Sequence, residues 1–148
     1  MGKEIERKFL VKPDLIGDLP EAETITQGYL SVDPKRTVRL RICGNRAFLT
    51  VKSQSEMVNV ERYEWEFEIP LLVASEMMEI CLPGRIVKSR YLIPCGCHTF
   101  EVDVFHGKHE GLIIAEIELE NESEQFEKPV WLGKEVTGNP EYYNSNLI

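Results

Sequence analysis

The chain opens with MGKEIERKFLV (residues 1–11), and the placing of charge in that stretch decides how the rest is read. Side chains on a β-strand alternate between two faces, so Glu4, Glu6 and Lys8 share one side while Ile5, Phe9 and Val11 share the other. An ordinary half-buried strand with its polar side in water looks the same. A single strand cannot separate the two readings; recurrence can.

The pattern recurs. In TVRLRIC (37–43), Arg39 and Arg41 oppose Val38, Leu40 and Ile42; in RAFLTVKS (46–53), Lys52 opposes Leu49 and Val51. In VERYEWEFEIP (60–70), Glu64, Glu66 and Glu68 oppose Tyr63, Trp65, Phe67 and Ile69. RIVKSRYLI (85–93) sets Lys88 and Arg90 against Val87, Tyr91 and Ile93, and HTFEVDVF (98–105) sets Glu101 and Asp103 against Phe100, Val102 and Val104. GLIIAEIELEN (111–121) sets Glu116, Glu118 and Glu120 against Ala115, Ile117 and Leu119. A further strand is expected at TITQGYLS (24–31). Gly44-Asn45 and Pro94-Cys95-Gly96 mark hairpins, and links this short make neighbouring strands antiparallel. Helices are expected at LLVASEMMEIC (71–81), which stops at Pro83-Gly84, and at ESEQFEKP (122–129), with a short helix-capable stretch in DLIGDLP.

The signs are sorted by strand. A solvated face mixes unlike charges, whereas here one strand carries only arginine, another only glutamate and a third only lysine and arginine. Like charges two residues apart repel unless something of opposite sign lies among them. A sheet rolled around these faces encloses a charged interior, a barrel with a polar lumen whose outer apolar faces, including Trp65, Phe67 and Tyr91, are covered by helices or a partner. The expected fold is mainly β (α+β): an antiparallel barrel with a few peripheral helices, in one domain over 1–148.

Composition narrows the partners. With 148 residues and 43% hydrophobic content the chain can bury a core. No apolar run approaches the roughly 18 residues of a membrane span, and the charged start lacks an apolar signal core, so a cytoplasmic location is expected. A net charge of -8 argues against nucleic acid. Cys43, Cys81, Cys95 and Cys97 then stay reduced. Cys95-Gly-Cys97-His98 lacks the two spaced pairs of a structural zinc site, His106 and His109 read as solvent-exposed, and a P-loop is absent from the sequence. A homodimer that buries leftover apolar surface is compatible with the pattern.

A ligand that compensates both sets of charge must itself carry both signs. Lys8, Arg39, Arg41, Lys52, Lys88 and Arg90 suit a polyanion rich in oxygen, since guanidinium forks bind phosphate bidentately. The carboxylates at Glu4, Glu6, Glu64, Glu66, Glu101, Asp103, Glu116 and Glu118 are oxygen ligands suited to Mg²⁺ or Mn²⁺. Phosphates bridged to divalent metal on one side and clamped by basic groups on the other is the recurring arrangement for phosphoryl transfer.

These residues resemble a known family. EIERK is the Glu-x-Glu-x-Lys signature of the CYTH superfamily, the triphosphate tunnel metalloenzymes, and QGYL, RLR, TVKS, YEWE, KSRY, EVDVF and AEIELE follow in that family's order, with a weaker match in WLGKEVT and YYNSNL. The resemblance implies an eight-stranded antiparallel tunnel, closed or partly open, that binds triphosphate. It implies triphosphate binding by Lys8, Arg39, Arg41, Lys52, Lys88 and Arg90. It implies metal binding by Glu4, Glu6, Glu116 and Glu118 with Asp103 close by. Glu64 and Glu66 would hold a second metal or position the attacking water, Lys8 and Lys88 would serve catalysis, and Tyr29 would lie over the site. Members include inorganic, thiamine and RNA triphosphatases and class IV adenylate cyclases. The readings that compete are an inorganic triphosphatase, a thiamine triphosphatase, a cyclase and a non-catalytic polyphosphate-binding module. The number of metal ligands favours an enzyme, and the absence of a polar and aromatic cluster to read adenine favours the inorganic substrate.

Overall fold

The computed structural model describes residues 2–53 and 61–148, with side chains described over 5–53 and 63–148. Nine strands follow in chain order: β1 (Gly2–Val11), β2 (Glu23–Ser31), β3 (Thr37–Cys43), β4 (Arg46–Ser53), β5 (Glu61–Ile69), β6 (Ile86–Cys95), β7 (His98–Phe105), β8 (Ile113–Glu118) and β9 (Leu132–Glu135). Among the described residues one α-helix forms, α1 (Leu71–Met78), just after β5.

All neighbours are antiparallel, in the order β5-β4-β3-β2-β6-β7-β8-β1-β9. Two tight hairpins fix much of the register. Gly44 at φ 61° turns β3 into β4, with Cys43 opposite Arg46, and Gly96 at φ 63° turns β6 into β7, with Cys95 opposite His98. Only glycine adopts these positive φ values without steric cost. β1 lies along β8 through Glu6–Leu10 and meets β5 over the four pairs from Gly2↔Glu64 to Ile5↔Glu61. The strands β1 to β8 thus form a ring joined through a short ladder at one end. Farther along β1, at Phe9 and Val11, the partner is β9, so the barrel is partly open.

Three apolar clusters brace the ring. The outer faces of β1, β7 and β8 contribute Ile5, Phe9, Phe100, Val102, Ala115 and Ile117, and the chain from Leu119 to Trp131 covers them with Leu119, Phe126 and Trp131. α1 lays Ala74 and Met78 on Leu40 and Ala47 from β3 and β4. Gly28 makes room for it, because a Cβ there would stand 3.0 Å from Met78 Sδ and from Cys81 Sγ. The third cluster is inside the ring, where Tyr29, Ile86, Phe105 and Ile114 close around Leu147.

The predicted bounds of β3, β4 and β7 are those observed, and α1 ends three residues short of the expected helix. DLIGDLP holds a single 3-10 turn, Pro13–Leu15. The helix expected over 122–129 does not form. Asn121 Oδ1 instead accepts from Ser123 N and Oγ, Glu124 Oε1 accepts from Glu120 N, and Phe126 is drawn into the outer cluster. Local side-chain to backbone bonds compete with helix in this way. β9 is an addition to the expected strands. Trp65 and Phe67 are not under a helix: α1 sits over β3 and β4, and Phe67 is 57% exposed.

Phe100 has no exposed surface and meets Trp131 edge-on at 5.2 Å and Phe126 at 6.1 Å. Phe100→Ala should therefore lower unfolding stability by about 3–5 kcal/mol in a urea titration. A loss under 1 kcal/mol would mean that the 119–131 segment does not brace the ring as described.

Candidate active site

The register carries the sorted charges into contact across the lumen wall. Lys52 is paired with Glu64, and Thr50 with Glu66, between β4 and β5. Lys52 Nζ lies 3.6 Å from Glu64 Oε2, and Glu66 Oε2 accepts from Thr50 Oγ1 at 3.0 Å and from Arg41 Nη2 at 3.3 Å. On the opposite wall Arg90 is paired with Asp103 between β6 and β7. Its guanidinium grips both oxygens of Asp103, at 2.8 and 2.9 Å, and reaches Glu101 at 3.4 Å. Lys88 Nζ joins the same carboxylate at 2.7 Å. Between β1 and β8, Lys8 is opposite Glu116 and Glu6 is opposite Glu118.

Much of the repulsion expected within each strand is thus met by the adjacent strand. Compensation is uneven, however. Asp103 is one carboxylate shared by two cations, and Lys88 and Asp103 are only 1% and 2% exposed. Burial drives the Lys88 ammonium down to a pKa of about 8, although Asp103 pulls the other way. Burial opposes the charge of Asp103 too, yet Lys88 and Arg90 hold its carboxyl below the usual range. Glu116 is likewise disfavoured by burial but kept well below the ordinary glutamate range by Lys8, Arg90 and Lys88. Glu101 is raised, chiefly by burial, with Glu116 and Asp103 adding to the effect against Arg90.

Among the described residues four buried polar atoms have no hydrogen-bond partner: Arg39 Nε, Arg41 Nε, Glu64 Oε2 and Gln27 Oε1. Leaving such a group unmatched costs about 1–3 kcal/mol, so each calls for an explanation. Two guanidinium N–H groups that lie two residues apart on β3 and lack acceptors mark a place for an anion with several oxygens.

Of the residues singled out from the sequence, Lys8, Arg39, Arg41, Lys52, Glu64, Glu66, Lys88, Arg90, Asp103 and Glu116 meet in this wall-to-wall network, with Glu6 beside Glu116. The side chain of Glu4 lies outside the described residues. Tyr29 is buried on the lumen side of β2, directly opposite Arg39. Asp103 has both oxygens committed to Lys88 and Arg90. Sequence reasoning passed over Thr50, Gln27 and Asn144. Thr50 and Gln27 were findable, since they continue the lumen-facing alternation through Lys52 and Tyr29. Asn144 had no periodicity to betray it.

For a divalent cation the donor chemistry is in place. Glu6 and Glu118 are ladder partners across β1 and β8, and Glu116 lies two residues from Glu118 on β8. Carboxylates gathered on one face in this way repel one another unless a proton or a cation lies among them. Among the described residues no three His, Cys, Asp or Glu ligands gather around one point, in the lumen or at the Cys95–His98 hairpin.

Comparison with known proteins agrees with this geometry. Residues 2–146 match the CYTH domain. The chain belongs to the CYTH family. A protein of Acetivibrio thermocellus named inorganic triphosphatase is 46% identical over 149 residues, which cover 100% of this chain and 94% of that one. A Nitrosomonas europaea protein of the same name is 36% identical over 149 residues, 97% of this chain and 95% of its own. A crystal structure of an inorganic triphosphatase aligns at a TM-score of 0.67 and 34% identity, covering 97% of this chain and 95% of that one. This CYTH chain spans nearly the full length of each. Among its described residues no helix is long and apolar enough to cross a membrane, and all four cysteines are free.

Because Lys88 is protonated below a pH of about 8 and neutral above it, its contribution to binding an anion is present at low pH and lost as the pH rises. Metal-free titration calorimetry with inorganic triphosphate should show affinity falling as pH increases through about 8. The inflection should vanish in Lys88→Met. An unchanged inflection in that variant would assign it to another group.

Proposed function

We propose that this CYTH protein hydrolyses inorganic triphosphate in a reaction that requires Mg²⁺ or Mn²⁺. The single observation that carries the reading is the pair of buried, unpartnered N–H groups of Arg39 and Arg41, set in a wall where Lys8, Lys52, Lys88 and Arg90 converge. The relatives bearing the name inorganic triphosphatase support it, as each aligns along almost the whole chain.

In this reading Arg39, Arg41, Lys52 and Arg90 bind the phosphate chain, and Lys8 and Lys88 neutralise the charge that develops as a phosphoanhydride breaks. Glu6, Glu116 and Glu118, with Glu4, hold the metal, which when bound supplies a countercharge to the phosphate oxygens. Glu64 and Glu66 orient the water and take its proton. The water oxygen bonds to a terminal phosphorus, the bridging P–O bond breaks, and orthophosphate and pyrophosphate leave. Asp103 holds Lys88 and Arg90 in place, and Tyr29 stands beside Arg39 on the neighbouring strand.

The mouth of the lumen argues against a nucleoside. It is a cavity of about 340 Å³ between Glu21, Glu23 and Glu101 on one hand and Arg41 and Arg90 on the other, with Pro20 and Leu92. Among the described residues that lining offers no aromatic ring on which a base could stack. A cyclase must also fix the ribose so that its 3′-oxygen lies in line with the α-phosphorus.

Phosphate release should be at least tenfold more efficient from inorganic triphosphate than from ATP or thiamine triphosphate, a difference of about 1.4 kcal/mol. ATP should give little or no cyclic AMP by chromatography. Glu116→Gln should abolish turnover while leaving the circular dichroism spectrum and melting temperature near those of wild type. Cyclic AMP and pyrophosphate as the main products would replace this reading with the cyclase, and full activity in excess EDTA would remove the metal from it.

A further inference from the structure

The lumen is entered from one side by the 3-10 turns Pro140–Tyr142 and Asn144–Asn146, which no strand pattern anticipates. They are firmly held. Leu147 is buried among Tyr29, Ile86, Phe105 and Ile114, His109 Nε2 lies 2.6 Å from the Leu147 carbonyl, and Asn146 Nδ2 donates to the Pro140 carbonyl at 2.7 Å. The turns thereby bring two acceptors to two lumen lysines. Lys8 Nζ donates to the Tyr142 carbonyl at 3.1 Å, and Lys88 Nζ donates to Asn144 Oδ1 at 3.1 Å.

Asn144 Oδ1 is also the acceptor for Gln27 Nε2 at 3.2 Å, and Gln27 has no exposed surface. One carboxamide oxygen therefore ties the C-terminal turns to β2 and β6 together. Its neutrality matters. Among the described residues Asp103 is the carboxylate in ion-pair contact with Lys88, and Arg90 shares it, while Glu101 reaches Arg90 at 3.4 Å and Glu116 acts on both cations from β8. An ammonium has three N–H donors. A neutral acceptor fixes the direction of one without cancelling the charge that an anion would need, whereas a carboxylate at position 144 would add one more negative group directly on Lys88.

We propose that Asn144 is a positioning residue for Lys88: it aims the ammonium at the phosphate chain from outside the sheet and leaves its charge unspent. The inference rests on the triphosphate reading above, and its residue lies outside every set of charges that reading uses.

Three measurements test it. First, in the unliganded protein the ¹H–¹⁵N signal of Lys88 Nζ should move in Asn144→Leu; an unmoved signal overturns the placement. Second, metal-free calorimetry with inorganic triphosphate should show Asn144→Leu weakening binding five- to twentyfold in the presence of Lys88, but less than twofold in a Lys88→Met background. Equal losses in both backgrounds would mean a general packing role and overturn the inference. Third, Asn144→Asp keeps shape and acceptor, so its melting temperature should not fall, yet it should bind triphosphate at least fivefold more weakly. Wild-type affinity in that variant would overturn the claim about neutrality. A wild-type protein whose Lys88 signal depends on Asn144, but which neither binds nor hydrolyses triphosphate, would overturn the proposed function and leave the placement standing.

Discussion

One carboxylate holds two cations. Asp103 sits between Arg90, which grips both of its oxygens, and Lys88, whose ammonium is almost wholly enclosed. Removing one partner of a buried ion pair typically costs about 3–5 kcal/mol, so the arrangement constrains everything around it. β6 and β7 must keep the register that places Arg90 opposite Asp103, and the ring must keep those two strands facing β3 and its arginines.

Seen from this point, the fold divides its work by face. Outward-facing apolar residues supply the cohesion, through the cluster around Phe100 and Trp131 and through α1 on Leu40 and Ala47. Inward-facing residues hold one another in unlike-charge pairs across strands, which keeps the charged lumen from driving the barrel apart. What remains unmatched is localised at Arg39, Arg41, Glu64 and Gln27. A ligand that brings oxygen atoms to the arginines would complete the wall without rearranging it, and preorganisation of this kind lowers the reorganisation needed at the moment of reaction.

The barrel and its charged interior were legible because both come from a period of two. Arg39 with Arg41, Glu64 with Glu66, and Lys88 with Arg90 announce a shared face, and the bounds of β3, β4 and β7 follow from the same alternation and their hairpins. Alternation shows which residues share a face but not which strands are neighbours. That Lys52 meets Glu64, or that Asp103 serves Lys88 and Arg90 in place of standing free, depends on strand order. The segment at 122–129 was misread because its acidic residues suit a helix start equally well as the turns that Asn121 and Glu124 make. Asn144 was illegible for a simpler reason: single side chains in short 3-10 turns have no period, and their partners lie far away in the chain, at Gln27 and Lys88.

The central claim is that the lumen is a preformed clamp for a chain of phosphates, and the crystal structure of the complex with inorganic triphosphate tests it most directly. Phosphate oxygens are predicted within hydrogen-bond distance of Nε of Arg39 and of Arg41 inside the ring, with Asp103 still shared between Lys88 and Arg90. Triphosphate bound elsewhere, with both arginine Nε groups still unpartnered, would contradict the account.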